Sequence, residues 1–590
     1  MSAPGRPLVA TLDALARAAD SGRGLRLLQS LALLAALALL AAAADAQVAT
    51  TKHNLSVTGP GTVKAAAETQ ICIFCHTPHN ASPAAQLWNR RAPTSTYTPY
   101  SSTTTRGGAA QPNGASMLCL SCHDGTIALG EVLSRATPIT MAGAVTTIPA
   151  ASPGRLGTDL GDDHPISFAY TATLASQRNG EFANPATLTG PVKLDAAGNM
   201  QCTTCHNPHG TPFEKFLVVN NTASALCVTC HLKPGWSASS HATSTRTWNG
   251  LGTDPWPATS GTTVAANGCE NCHRPHSAPG RKFLLHQATE EGTCYSCHNG
   301  NAAGKNIQAE IAKLSRHTVT ATTGTHDPTE QAVVGTMHVE CVDCHNPHAA
   351  KAGAGSPNGP LTGVRGVNIG GTAVATATAE YEICFRCHAD STTRNPAPLV
   401  ARQIAQPNIR LKFQTSNPSY HSVAGVGRAT SVPSLIAPWT TGSLMKCTDC
   451  HNNNTGPGNA GTGPNGPHGS TIRPLLERQY ILTDNTSYST ANYALCFKCH
   501  NSTTVMSSNS FREHSLHVNS QRAPCSVCHD PHGVPAPGTT TSNARLINFN
   551  TAVVTPSSGG ILRWDSTNPT NRQGRCYLRC HGKDHNPLSY

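Results

Sequence analysis

Every cysteine of this 590-residue chain belongs to one short motif that recurs along the sequence. Eleven groups read Cys-x-x-Cys-His and begin at Cys72, Cys119, Cys202, Cys227, Cys269, Cys294, Cys341, Cys384, Cys447, Cys496 and Cys525. Their second cysteines are Cys75, Cys122, Cys205, Cys230, Cys272, Cys297, Cys344, Cys387, Cys450, Cys499 and Cys528. A twelfth group has one extra residue between Cys576 and Cys580. The twelve groups use all 24 cysteines, so none is left for a disulfide.

The spacing of this motif has a mechanical explanation. Two thiols add across the two vinyl groups of one haem, and the adjacent histidine ligates the iron from the same segment. Zinc sites usually combine a Cys-x-x-Cys with a second Cys or His pair, and a disulfide framework does not place His after every second Cys. The sequence therefore predicts twelve covalent haem c groups, with proximal ligands His76, His123, His206, His231, His273, His298, His345, His388, His451, His500, His529 and His581.

The composition favours a core built largely from these cofactors. Only 11 Phe, 6 Trp and 11 Tyr are present, and 12% of the residues are charged, so a core of side chains alone would be thin. The predicted fold is mostly irregular with short α-helices, little β-structure and a core of stacked haems that staple the chain. Residues 222–231 and 377–388 are predicted helical turns, and 306–314 is the best free-standing helix.

The histidines outnumber the proximal ligands. The chain has 29 His, so 29 − 12 = 17 remain. Five of these stand three residues after a proximal His with Pro between them: His79, His209, His276, His348 and His532. Such a residue cannot reach the opposite face of the haem that its neighbour ligates. We therefore expect it to bind the iron of an adjacent haem.

The motifs form a repeat of six pairs, approximately residues 47–160, 161–240, 241–316, 317–420, 421–510 and 511–590. In each pair the first motif is preceded by a further histidine, namely His53, His164, His241, His317, His421 and His517. In the fifth pair His468, in a Gly-Pro-His-Gly segment, is the displaced equivalent of the Pro-linked histidine. These twelve residues are the predicted distal ligands, and His286, His326, His338, His514 and His585 stay open as replacements.

Methionine cannot supply the distal ligands. Only Met117, Met141, Met200, Met337, Met445 and Met506 follow residue 46, too few for twelve irons. Bis-His ligation is therefore predicted, with reduction potentials in a low range because Met raises the potential relative to His.

Residues 1–46 have the pattern of a secretory signal peptide. Four Arg precede an apolar run at residues 31–44, which ends in Ala-Asp-Ala before Gln47. The run is too short to span a bilayer, for which about 20 apolar residues are needed. We expect an exported protein without a membrane span after cleavage; an uncleaved anchor is the alternative.

The positive charge of the chain does not indicate nucleic-acid binding. The net charge of +11 falls to +10 without residues 1–46. Ionised propionates bring twelve ferric haems to about −12 and twelve ferrous haems to about −24, so the holoprotein carries about −2 or −14. The Lys and Arg residues are scattered and suit neutralisation of propionates, so no nucleic-acid partner is expected.

The paired motifs, the Cys119 segment CLSCHDGT and the His164 segment HPISF resemble doubled-CxxCH multihaem c-type cytochromes that metal-respiring bacteria export to the cell surface. The resemblance implies electron transfer in anaerobic respiration, outside the cell or, second, in the periplasm. It also implies that other cytochromes, metal oxides or further copies in a filament are the partners. In such filaments a histidine of one subunit ligates a haem of the next, for which His53 and His585 are candidates.

Three functions fit these features. The first is an electron conduit without catalytic residues. The second is a multihaem reductase of a small oxyanion or nitrogen compound, which needs one open haem face; the surplus of histidines disfavours it, and the fifth pair or the Cys576 motif is where an open iron would lie. The third is an electron store, which needs the same haem packing as the conduit.

Overall fold

The computed structural model describes residues 47–590 except 84, 86, 109, 178–179, 258, 260, 320–325, 334–337, 392–397, 508 and 569–572. The predicted signal peptide lies outside the described residues. The chain forms two compact units. The first runs to Asn221 and includes Ala225–Leu232 and Pro275–Ser277, and the second contains Thr222–Ser224, Lys233–Arg274 and Ala278–Tyr590.

The predicted fold class is confirmed: most of the chain is irregular and its helices are short. The α-helices are α1 Gly114–His123, α2 Ala172–Ser176, α3 Cys202–Cys205, α4 Ala225–Val228, α5 Ser240–Thr243, α6 Val264–Asn267, α7 Glu290–His298, α8 Ile307–Ile311, α9 Cys341–Cys344, α10 Glu380–His388, α11 Ile409–Lys412, α12 Ser502–Val505 and α13 Cys525–Cys528. Single 3-10 turns carry four further motifs, at Cys72–Phe74, Gly268–Asn271, Cys447–Asp449 and Cys496–Lys498.

Side-chain caps explain where several helices begin. The predicted helix at 306–314 forms as the shorter α8, whose first turn is capped by the Asn306 side chain accepting from the Ala309 N–H. The Thr289 hydroxyl caps α7 in the same way, accepting from the Gly292 N–H. The predicted turn at 377–388 forms as α10.

Most strands are two-residue pairings. They are β1 Phe168–Ala169 with β2 Asn199–Met200, β3 Ser315–Arg316 with β7 Gly469–Ser470, β4 Gly366–Val367 with β5 Ala373–Val374, and β6 Ser419–Tyr420 with β8 Gly533–Val534. A larger antiparallel sheet ends the chain, formed by β9 Val554–Thr555, β10 Arg563–Asn568, β11 Gln573–Cys580 and β12 Lys583–Ser589.

The C-terminal sheet was not predicted. It carries the twelfth motif, because Cys576 and Cys580 both lie on β11. The β11–β12 hairpin turns at His581 and Gly582, whose φ angles are +46° and +79°. Two successive positive φ angles match the twist of a tight hairpin, and Gly582 adopts this conformation without strain.

The side-chain core consists of small separate clusters. One in the first unit joins Ile73, Phe74, Leu129 and Met141. Two in the second unit centre on Phe385 with Phe413, and on Phe549 with Leu578. Cysteines of the motifs pack against all three clusters. Clusters of this size leave the space beside the cysteines to be filled by something other than side chains.

Within the part of the chain that the structure describes, no helix has both the length and the apolar character needed to cross a bilayer.

Candidate functional site

One turn of backbone brings the first cysteine of a motif under its histidine. The His N–H donates to the carbonyl of the first Cys at 2.8–3.0 Å in the motifs that begin at Cys72, Cys202, Cys227, Cys269, Cys341, Cys447, Cys496 and Cys525. This i to i+4 bond closes the turn and places two thiols and one imidazole on one short segment. It is the geometry that two thioether bonds and a proximal ligand require.

Burial keeps most motif thiols in the neutral form. Desolvation raises the pKa of Cys75, Cys205, Cys272 and Cys450 to about 12. No disulfide joins any of the 24 cysteines, all of which the structure describes. Free, unbridged thiols are the groups that add across the vinyl groups of a haem.

Most histidines predicted as proximal ligands face a second histidine across a constant gap. Ten pairs of imidazole rings have centroids 6.0–6.2 Å apart: His76–His209, His123–His53, His206–His276, His231–His164, His273–His348, His298–His241, His345–His468, His388–His317, His451–His532 and His529–His514. Two metal–nitrogen bonds of about 2 Å, with the distance from each nitrogen to its ring centre, give a separation of about 6 Å. The gap therefore fits one iron between two imidazoles.

Ten of these twenty rings are held in one tautomer by a main-chain carbonyl. Nδ1 of His53, His123, His206, His241, His273, His317, His345, His451, His514 and His529 lies 2.6–3.1 Å from a main-chain carbonyl. A carbonyl only accepts, so Nδ1 carries the proton and Nε2 keeps its lone pair. Burial also lowers the pKa of His298 and His529 to about 4, which keeps these rings neutral. A neutral imidazole with a hydrogen-bonded Nδ1 and an available Nε2 is the usual form of a histidine metal ligand.

The facing pairs follow a rule along the chain. The Pro-linked histidine of one pair of motifs faces the first proximal histidine of the preceding pair, as His209 faces His76 and His532 faces His451. The upstream histidine of a pair faces the second proximal histidine of the same pair, as His241 faces His298. His468 faces His345, so the displaced Gly-Pro-His-Gly segment follows the same rule.

In four Pro-His segments the proline carbonyl contacts a second histidine of the facing pairs or of the fifth pair. The carbonyls of Pro208, Pro347 and Pro467 accept from Nδ1 of His53, His241 and His317 at 2.9–3.0 Å, and Pro531 accepts from His421. One Pro-His segment therefore orients the distal ligands of two different sites. The His468 segment takes part through Pro467, which the sequence signal alone did not reveal.

Successive motifs lie next to each other in sequence order within each unit. The first cysteine of the second motif in one pair hydrogen-bonds to the first cysteine of the next pair, in the contacts Cys119–Cys202, Cys294–Cys341, Cys384–Cys447 and Cys496–Cys525. Inside pairs the second cysteines are close enough to raise each other's pKa, as Cys122 does for Cys75 and Cys297 for Cys272. The motifs of each unit thus form an unbranched series.

Polar caps fix the junctions of that series. The Ser116 hydroxyl on α1 accepts from the Cys202 N–H at 3.0 Å, and the Glu380 carboxylate on α10 accepts from the Thr448 N–H at 2.9 Å. Burial raises the pKa of Glu380, and the Thr448 hydrogen bonds oppose that rise. Each contact ties the second motif of one pair to the first motif of the next.

The second unit contains the space for such a series. A continuous cavity of about 2400 Å³ is lined by cysteines or histidines of six motifs and by His317, His421, His514, His517 and His585. The cavity lies between the elements that carry the motifs rather than at one surface cleft, as a series of cofactors would require.

In the motif at Cys496 the Nδ1 partner of the histidine is a hydroxyl rather than a main-chain carbonyl. The His500 ring is held by a 2.8 Å hydrogen bond between Nδ1 and the Ser434 hydroxyl. Burial and, to a smaller extent, the charge of the nearby His421 lower its pKa to about 4. His421 is therefore the histidine next to His500, as the rule expects for the fifth pair.

At the twelfth motif the predicted proximal ligand, His581, contacts an acidic side chain. Nε2 of His581 lies 2.9 Å from Oδ2 of Asp484, so the nitrogen that would bind iron meets a carboxylate instead. His517 and His585 face each other, with ring centroids 6.5 Å apart. Nδ1 of His585 lies 2.8 Å from the Tyr590 hydroxyl, and Nδ1 of His517 donates to the Glu513 carbonyl.

The structure also places the remaining histidines. His79 is exposed, and in the described part of the chain no other imidazole faces its ring. Nε2 of His286 lies 2.8 Å from the Ser296 hydroxyl. His514, one of the open replacements, faces His529. His326 and His338 lie together with two carboxylates.

Residues 195–234 and 262–303 match the family described as Doubled CXXCH motif. Each matched segment holds one pair of motifs, at Cys202 with Cys227 and at Cys269 with Cys294. The match indicates a multihaem c-type cytochrome with covalently bound haem c, a class of electron-transfer protein. The chain matched no curated protein.

Proposed function

We propose that the chain is an electron carrier with bis-His haems at its twelve motifs, and that electrons move along them in sequence order within each unit. The observation that carries this proposal is the set of ten facing imidazole pairs at 6.0–6.2 Å. Haem iron supplies one-electron redox chemistry when bound. The paired histidines fill both axial positions, which excludes substrate from the metal and leaves electron transfer as its function.

The series of adjacent motifs supports a conduit. Thiol contacts such as Cys384–Cys447 place neighbouring attachment points side by side, so porphyrins attached there lie close together. Two histidine ligands also favour a low potential, which suits anaerobic respiration. A store of electrons would show the same packing, and it differs from a conduit only in whether electrons leave at another surface.

Intact mass and a reductive titration test the proposal together. The secreted protein should carry twelve haem additions and accept twelve electrons per chain, matching its twelve motifs. Fewer haems, or irons that take up no electrons, would contradict it.

For the twelfth site we propose His517 and His585 as the axial pair. β-Strand geometry supports this choice, because residues i, i+2 and i+4 share one face and paired residues point the same way. Cys576, Leu578 and Cys580 therefore share a face of β11, and His585 pairs with Leu578. The sheet places two thiols and one buried imidazole together, as a helical turn does elsewhere.

A reductase with one open iron is the second candidate. The observation that favours it is the contact of His581 with Asp484, which removes the expected proximal ligand. An open iron should give a high-spin ferric signal, and nitrite or hydroxylamine should change the spectrum. A spectrum with low-spin signals alone, unchanged by these compounds, would exclude this candidate.

We further propose that the protein is exported, as the pattern of residues 1–46 predicts. His53, which the resemblance nominated as a ligand to a second subunit, instead faces His123. Cell fractionation with haem staining should find the holoprotein in the exported fraction and lacking residues 1–46. A haem protein that keeps residues 1–46 and stays in the cytoplasm would contradict this step.

A further inference from the structure

We infer that His326, Glu330, His338 and Asp343 form a separate binding site for one divalent transition-metal ion. Nδ1 of His326, Nε2 of His338 and one carboxylate oxygen from each acid all lie within 4.8 Å of one another. Nε2 of His338 is 3.2 Å from Oε2 of Glu330, and Nδ1 of His326 is 3.4 Å from Oδ1 of Asp343. Metal–ligand bonds of about 2 Å need ligand atoms at separations of this kind.

The cluster is not another haem site. Its two imidazoles have centroids 6.4 Å apart, close to the spacing of the facing pairs. The carboxylate oxygens of Glu330 and Asp343 lie beside the two ring nitrogens, however, where a porphyrin would have to pass. Neither His326 nor His338 follows a cysteine pair. A single ion fits this space, and a planar cofactor does not.

Buried ligand atoms of the cluster lack hydrogen bonds. Nδ1 of His326, Oε2 of Glu330 and Oδ1 of Asp343 are buried and make none. The side chains of His326 and Asp343 are only 9% and 7% exposed. Leaving a buried polar atom unsatisfied costs about 1–3 kcal/mol, and more for a charged group. Three such atoms that point at one another indicate a ligand that they share.

Two guanidinium groups border the site. Nη1 of Arg365 donates to the Glu330 carbonyl at 2.8 Å, and Nη1 of Arg386 donates to the Asp343 carbonyl at 2.6 Å. Arg386 also forms a 3.3 Å ion pair with Oδ1 of Asp343. Nη2 of Arg365 and Nε of Arg386 are buried and make no hydrogen bond. The two arginines position the main chain beside both carboxylates.

A further carboxylate, Glu290, hydrogen-bonds to the two chain segments that carry His326 and Asp343. Glu290 on α7 accepts from the N–H of His326 at 3.2 Å and from the N–H of Val342 at 3.1 Å. Burial raises the pKa of Glu290 to about 7, and these two hydrogen bonds oppose the rise. Glu290 thereby joins the segment that carries His326 to α9, which carries Asp343 and the Cys341 motif.

The donor set selects the class of metal. Two imidazole nitrogens with two carboxylate oxygens suit Zn²⁺, Mn²⁺ or Fe²⁺, whereas Ca²⁺ and Mg²⁺ prefer oxygen alone. Four protein ligands without an open position are typical of a structural site. The ion would clamp the segment from His326 to His338 against α9.

Zinc retention by the holoprotein tests the site. Chelator-treated holoprotein receives Zn²⁺, is desalted, and is measured by elemental mass spectrometry, which separates zinc from haem iron. The natural chain should retain about one zinc, and His326→Ala and Glu330→Gln should each bind zinc at least about tenfold more weakly. His286→Ala is the matched control, because it removes a half-buried histidine outside the cluster and should retain zinc.

The conservative variant Glu330→Gln keeps the shape of the side chain, and intact mass shows whether each variant carries its full haem complement. A natural chain that retains no zinc would overturn the inference. Retention by His326→Ala equal to that of the natural chain, with haem intact, would also overturn it.

Discussion

The eleventh and twelfth motifs lie close together in the second unit but are built differently. Cys525 and Cys528 lie on the single turn of α13, and the His529 N–H closes that turn on the Cys525 carbonyl at 2.9 Å. Cys576 and Cys580 lie on β11, and the residue after them enters a hairpin turn. Even so, Cys528 and Cys580 pack against the same core cluster.

This difference shows what the spacing between the cysteines controls. With two intervening residues, one helical turn places both thiols and the histidine on one side. With three, the two cysteines lie four residues apart, and in a strand such residues share a face. The histidine that follows, His581, lies in the hairpin turn instead, and His585 of the next strand pairs with Leu578, which lies between the two cysteines.

The largest difference in stability between the eleventh and twelfth motifs should appear when both thiols of a motif are removed. Cys525→Ala with Cys528→Ala should lose one haem and destabilise the cluster around Val527 and Phe549, since emptying a packed core costs about 2–5 kcal/mol per large group. The same change at Cys576 and Cys580 should also lose one haem, with a smaller loss of thermal stability because the sheet hydrogen bonds remain. Intact mass and thermal melting measure both, and equal destabilisation would contradict the comparison.

The next largest effect is expected from the Pro-linked histidine of the sixth pair. His532→Ala should open the iron of His451 and leave His529 ligated by His514, because His532 faces His451. One of twelve haems should become high-spin while all stay attached. His79→Ala is the matched Pro-linked control and should leave the spectrum of the protein unchanged. A high-spin signal assigned to the haem of Cys525 would show that the order of ligands is wrong.

Paired variants at the C-terminal hairpin sharpen the comparison further. His585→Ala should convert one haem to high-spin, since it removes the imidazole that faces His517. His581→Ala should leave every iron low-spin, because Asp484 occupies its Nε2. Low-temperature electron paramagnetic resonance measures both. If only His581→Ala changes the signal, the twelfth motif follows the same ligation as the others.

The smallest effect is expected from Tyr590, whose hydroxyl hydrogen-bonds to the proposed ligand His585. Tyr590→Phe removes the hydrogen bond between the Tyr590 hydroxyl and Nδ1 of His585, worth about 0.5–1.5 kcal/mol. The haem should stay low-spin with a small shift in one reduction potential. Tyr577→Phe on β11 is the control, since the Tyr577 ring contacts Arg563. Identical redox titrations for both variants would remove Tyr590 from the account.

Much of the arrangement could be predicted because the motif is local. The spacing of Cys202, Cys205 and His206 determines a single turn whatever surrounds it, and the proline before His209 directs that histidine to a neighbouring site. The role of His468 was also predictable, because this residue still follows a proline although it lies farther from its motif than the other Pro-linked histidines do. These features depend on a few adjacent residues.

The features that were missed depend on long-range contacts. Asp484 meets His581 across 97 residues, and the sheet that holds Cys576 needs three further strands. No local pattern around residue 576 specifies those partners. His326 and His338 are likewise brought together with Asp343 through Glu290, which belongs to the preceding motif. Such sites follow from the packing of the chain rather than from spacing.

The most direct test of the account is to locate the irons in crystals of the holoprotein by anomalous scattering at the iron absorption edge. Twelve iron peaks are expected, each between two facing imidazoles, including one between His517 and His585. Irons that lie beside only one imidazole, or an empty gap between any of the ten pairs at 6.0–6.2 Å, would contradict it.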